Sequence, residues 1–152
     1  MNLQLVKLII FGITIGLAVG VGGYTFYYAK GYSYLSNNPA SCANCHIMNE
    51  QYDGWQKSSH KDVATCNDCH TPHNFFGKYA TKASNGFWHS YYFTANNFHE
   101  PIQLTERSRQ IAEQSCRHCH SSLVSGITIS ENHKPNDEVS CISCHRSVGH
   151  LH

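Results

Sequence analysis

Charge is scarce in this 152-residue chain: Asp, Glu, Lys and Arg make up 14% of it, with 11 basic residues against 10 acidic ones. So even a balance leaves no basic stripe for nucleic acid. No cysteine is left over for a disulfide. All eight lie in C-x-x-C-H motifs, at Cys42/Cys45, Cys66/Cys69, Cys116/Cys119 and Cys141/Cys144. Residues 8–29 lack charge altogether, a run of 22 rich in Ile, Leu, Val, Gly and Phe with no A-x-A-like cleavage site. That is long enough to cross a bilayer as a helix, and too long to read comfortably as a cleaved signal peptide.

C-x-x-C-H is the attachment signature of c-type haem: two thiols add across the vinyl groups and the adjacent histidine is held against one iron face. Shuffling this composition gives the motif about 0.03 times per chain, so four occurrences point firmly to four covalent haems. Zinc ribbons also use paired C-x-x-C, but zinc does not require a histidine after every second cysteine. Haem attachment happens outside the cytoplasm in bacteria. The expected topology is therefore a single pass in the cytoplasmic membrane, N-terminus inside and haem domain in the periplasm. Lys7 precedes the apolar run, and Tyr24, Tyr27, Tyr28 and Lys30 close it like an interfacial belt. Gly12, Gly16 and Gly20 fall near one helix face, a pattern that suits self-association of anchors and is also simply common in membrane helices.

The expected division is an anchor over 1–30, a polar linker over 31–41 and a haem domain over 42–152. A chain of that size wrapping four haems cannot also bury a large core of its own, so the haems become the core. The fold class expected is mainly α, with short helices, long loops and little or no sheet. Gln103–Ser115 is the best helix candidate outside the membrane, having no Pro or Gly and running into the third motif. Motif spacings of 24, 50 and 25 positions divide the haem domain into two di-haem halves. Each half carries one histidine between its motifs: His60 lies 14 past His46, and His133 lies 13 past His120.

His46, His70, His120 and His145 are the proximal ligand candidates. A low-spin haem needs a second axial ligand, whose identity sets the potential. His60, His133 and His150 are the distal candidates, whereas His73 and His118 suit solvent or propionate contacts. Only the first motif has a methionine two residues past its histidine. Met48 cannot readily reach the opposite face of the same haem; to bind iron it must displace His46 on the shared face, raising the potential. The alternative is a methionine packed on porphyrin. Phe75–Phe93 carries eight aromatic residues among Lys78, Lys82 and His89. If helical, it sets Lys82 and His89 two turns apart on one face, where they could bind a quinol headgroup and take its protons. A partner interface or plain haem packing is the competing reading.

The chain resembles the NapC/NirT family of membrane-anchored tetrahaem quinol dehydrogenases, and within it the small membrane subunits of ammonia-forming cytochrome c nitrite reductase complexes. The likeness spans essentially the full length. It rests on the anchor, the four motifs, C-x-x-C-H-x-M at 42–48, Lys-Ala-Ser-Asn-Gly-Phe-Trp-His at 82–89 and Ser-Val-Gly-His at 147–150. The resemblance implies that Met48 rather than His46 ligates the first haem, that His60 serves the fourth haem and His150 the third, and that Lys82 lies in the quinol site. It also implies menaquinol as substrate and a periplasmic pentahaem, NrfA-like nitrite reductase as partner. Two departures stand out. The family's acidic residue seven past the lysine is His89 here, which leaves open what caps the free face of the first haem. The second haem can take a lysine from the partner in such complexes, and His133 competes for that place. The rival function is a membrane-tethered electron carrier serving another periplasmic reductase, without a quinol site of its own.

Overall fold

The computed structural model describes residues 2–125 and 140–150. Among these there is no strand, and the fold is mainly α with long loops, as the composition and motif pattern predict. The chain divides into two units, Met1–Ser33 and Tyr34–His152.

The first unit is helix α1, Leu3–Tyr28. It starts five residues before the uncharged run. Asn2 caps it, its side chain accepting from Gln4 N at 3.1 Å, and nothing between Leu3 and Leu8 breaks a helix. None of its side chains is buried, so the whole apolar surface faces outward, as a membrane span requires. Its threonine hydroxyls are satisfied within the helix: Thr14 donates to Ile10 O and Thr25 to Val21 O. Hydrocarbon offers no other partner. Lys30, at φ 52°, adopts the left-handed turn that ends the helix, and Gly31 lies so close to the Phe26 ring that a Cβ would collide at 2.4 Å.

In the second unit the helices are α2 (Asn49–Gln56), α3 (Cys66–His70), α4 (Phe75–Thr94), α5 (Glu106–Cys119), α6 (Ser121–Val124) and α7 (Cys141–Cys144). Residues 31–35, 39–44 and 46–48 wind as 3-10 turns. Helix α5 begins later than Gln103 because Thr105 caps it, and it runs through the third motif rather than stopping at Ser115. Helix α4, capped by Asn74, is the longest in this unit. The motif-bearing pieces pack in sequence order: the 39–44 turn against α3, α3 against α5, and α5 against α7.

The protein's own core is minimal. Ile111 and Ala112 are the only buried hydrophobic side chains among the described residues, and no large side chain is fully buried. A polypeptide this poor in internal contacts does not account for its own stability. Covalent haems lying between the packed motifs would supply the missing apolar volume.

Candidate functional site

Each motif helix is fixed at its N-terminus. On α3, Thr65 and Asp68 form a reciprocal capping box, with Asp68 accepting from Thr65 N at 2.8 Å and Thr65 Oγ1 at 2.7 Å. On α7 the cap comes from another helix. Glu113 of α5 accepts from Cys141 N at 2.9 Å, Ile142 N at 3.1 Å and the Ser140 hydroxyl. Partial burial opposes ionisation of Glu113, but the Ser140, Ile142 and Cys141 donors outweigh it and hold the carboxyl below its usual range. The capping box of α3 was legible as Thr-x-x-Asp; Glu113 had no sequence signal.

Two histidine pairs face each other across gaps of one size. His70 and His150 have ring centroids 6.0 Å apart, and His60 and His120 6.1 Å apart. An iron with two axial imidazoles needs metal–nitrogen bonds of about 2 Å and roughly 1 Å from each nitrogen to its ring centre, which sums to about 6 Å. The distal rings are oriented for that role. His150 Nδ1 lies 2.8 Å from Gln51 O, and His60 Nδ1 lies 3.2 Å from Val148 O. Each Nδ1–H is thereby committed to a carbonyl and Nε2 is left as the free donor, the usual second-shell arrangement of a ligating histidine. Trp55, donating to Ala64 O at 3.0 Å, closes the loop that carries His60. Burial, and then the neighbouring His150, pushes His70 down to about 4, which favours the neutral imidazole that metal ligation requires. The donor set fits haem c.

These pairings differ from those implied by the resemblance. His60 faces the third motif, not the fourth, and His150 faces the second, not the third, because Val148 O and Gln51 O hold the rings there. The ring opposite His70 among the described residues is thus that of His150. Of the four motif histidines, His46 and His145 have no opposed imidazole among the described residues, and both are exposed. His133 lies outside the described residues. His73 and His118 stack on each other at 4.1 Å and pair with none of the four motif histidines.

At the first motif, His46 is exposed and Met48 half-buried on one 3-10 turn. Beside it lies a polar cluster between residues 34–37 and α4. Lys82, 5% exposed, donates to Ser36 O at 2.7 Å and Asn37 Oδ1 at 2.9 Å. Burial and then Lys78 lower its pKa, while Cys42 pulls the other way. Two turns on, His89 Nδ1 lies 3.2 Å from Tyr34 Oη. The Tyr34 ring rests on Gly86, where a Cβ would meet it at 3.4 Å. Burial, then the Cys45 and Cys42 thiols, pushes the Tyr34 phenol up to about 12. His89 keeps an exposed edge, yet the protein packed round the rest of its ring lowers its pKa. Tyr34, Ser36 and Asn37 escaped sequence reasoning because a polar segment that reads as a linker has no periodicity to mark its contacts. Phe75, Phe76, Phe87, Trp88, Tyr91, Tyr92 and Phe93 of α4 are all exposed.

Four cysteine pairs on ordered turns, opposed imidazoles and an outward-facing apolar helix define a c-type cytochrome with a candidate membrane anchor. The chain belongs to the NapC/NirT cytochrome c family, whose N-terminal region matches residues 2–152. It is 39% identical to the cytochrome c-type protein NrfH of Wolinella succinogenes, covering 95% of this chain and 84% of that one. It is 30% identical to the cytochrome c nitrite reductase subunit NrfH of Nitratidesulfovibrio vulgaris, over the same shares. A crystal structure of the cytochrome c nitrite reductase NrfHA complex bound to the HQNO inhibitor contains a similar chain. Its TM-score is 0.64 at 26% identity, covering 95% of this chain and 90% of that one.

Proposed function

We propose that this protein oxidises menaquinol at the outer face of the cytoplasmic membrane. It would hand the electrons through four covalent haems to an NrfA-like periplasmic pentahaem nitrite reductase. The relatives named as NrfH and the solved NrfHA complex support the partner. The observation that carries the quinol reading is the Lys82–His89 face of α4, tied through residues 34–37 to the first motif.

The haems, held by the eight motif cysteines, supply one-electron couples. His70 with His150 and His120 with His60 would complete two of them. Met48, in place of the exposed His46, would hold the first. His145 would hold the fourth, with His133 or a partner lysine opposite. Lys82 keeps a positive charge beside the first motif that favours binding of a quinol oxygen as its proton departs, and His89 is the base that receives that proton. The exposed aromatic residues of α4 suit a headgroup-level surface.

One observation favours the rival carrier without a quinol site. The Lys82 ammonium is buried and already donates to two neutral acceptors, as a purely structural lysine would. Lys82→Ala separates the two readings. Haem-loaded variant protein that retains full menaquinol-dependent nitrite reduction with the purified reductase supports the carrier. Loss of menaquinol-driven turnover, with dithionite-driven turnover intact, supports the quinol site.

A further inference from the structure

We infer that Tyr34 is a positioning residue for His89, accepting the Nδ1–H so that Nε2 is the nitrogen turned to a quinol hydroxyl. The inference rests on the quinol reading above and adds a residue to it. An imidazole on a surface helix has two nearly equivalent tautomers and a freely turning ring, and only a hydrogen bond at one nitrogen decides which nitrogen is the base. Tyr34 Oη, 3.2 Å from Nδ1, is placed to be that partner, and in its accepting role it leaves Nε2 as the base. The phenol is itself held in place. Its ring packs over Gly86, where an added Cβ would meet ring carbons at 3.4 Å, and its backbone leads directly into the Ser36 and Asn37 atoms that grip Lys82. One short segment thus sets both polar groups of the candidate site.

Quinol oxidation releases two electrons and two protons. Each O–H bond breaks as the ring becomes a quinone, the two electrons going one each to two ferric haems as the oxidant. His89 Nε2 takes one proton and relays it to water at its exposed edge; the other goes to water directly. Once His89 is an imidazolium, both nitrogens carry hydrogen, and Tyr34 can remain its partner only as an acceptor. The phenol stays protonated throughout, since burial alone raises its pKa above the ordinary value of 10.0. The titratable group that faces His89 is Tyr34 from the 31–35 turn, Lys82 lying two turns back along α4 on Ser36 and Asn37; Cys42 and Cys45, as thioethers, carry no charge.

Tyr34→Phe in the full-length haem-loaded protein tests this with a short-chain naphthoquinol in liposomes. The expected result is kcat lowered about ten-fold, the size of effect second-shell partners produce. KM and the quinone's binding constant, read by fluorescence quenching, stay within about two-fold. The acid limb of kcat moves to lower pH, because the imidazolium has lost an acceptor and binds its proton less tightly. Gly86→Val, which displaces the ring but keeps the phenol, is expected to lower kcat in the same sense and serves if Tyr34→Phe fails to load haem. A wild-type kcat and acid limb in Tyr34→Phe, with His89→Gln slow, overturns the inference and leaves the quinol reading standing. Wild-type rates in both Tyr34→Phe and His89→Gln overturn the inference together with the role of His89.

Discussion

Glu113→Ala removes the carboxylate that joins α5 to the fourth motif. Three hydrogen bonds are lost, from Cys141 N, Ile142 N and Ser140 Oγ. Hydrogen bonds to a charged group contribute about 1.5–3 kcal/mol each when the freed donor stays buried. Here α7 lies at the surface and water can reach its first amides, so the loss resembles that of a helix N-cap, about 1–2 kcal/mol. At 1.4 kcal/mol per factor of ten, the amides of Cys141 and Ile142 should exchange with solvent about ten-fold faster, while those of α4 stay unchanged. Mass spectrometry of the peptide spanning 140–145 reads this directly in haem-loaded protein. Glu113→Gln, which keeps a neutral acceptor, should fall between. The pH dependence has a fixed sign. Because the folded pKa is depressed, the stabilisation is present above the ordinary value of 4.5 and fades as pH falls through the folded value. Unchanged exchange at 141 and 142 in Glu113→Ala would refute the claim that this carboxylate holds the fourth motif.

His60→Ala and His150→Ala should each convert one low-spin haem to high spin, read by electron paramagnetic resonance; unaltered spectra would contradict the pairings at 6.1 and 6.0 Å. Met48→Ala should lower one midpoint potential by on the order of 0.1 V, a fraction of the ~0.8 V that axial ligation spans. Four unshifted potentials in a titration would return Met48 to simple packing. Asp68→Ala breaks the capping box of α3 and should cost about 1 kcal/mol, seen as faster exchange across residues 65–70.

The long apolar helix and the motifs were legible because each depends on a short local pattern, an uncharged run and a fixed Cys–Cys–His spacing, and the mainly helical class followed from four haems taking the place of a protein core. Lys82 and His89 could be placed on one face for the same reason, since seven residues make two helical turns wherever the helix lies. The distal pairings were not legible. His60 lies 14 past His46 in sequence, which says nothing of a ring held by a carbonyl 88 residues away. His150 likewise owes its position to Gln51, 99 residues distant. Tyr34 was hidden for a related reason. Its importance comes from a contact with α4 across 55 residues, and no periodicity announces such a contact. Where the haems take the place of an apolar core, long-range geometry is set by ligands and carbonyls rather than by hydrophobic pattern.

The most direct test of the account is to reconstitute the purified, haem-loaded protein in liposomes, add menaquinol under anaerobic conditions and follow the haem absorbance by stopped flow. The account predicts reduction by menaquinol alone, fast enough to sustain nitrite turnover, and loss of that reduction in Lys82→Ala and His89→Gln protein that dithionite still reduces fully. Haems that stay oxidised in the presence of menaquinol, and become reduced only with dithionite, would contradict it.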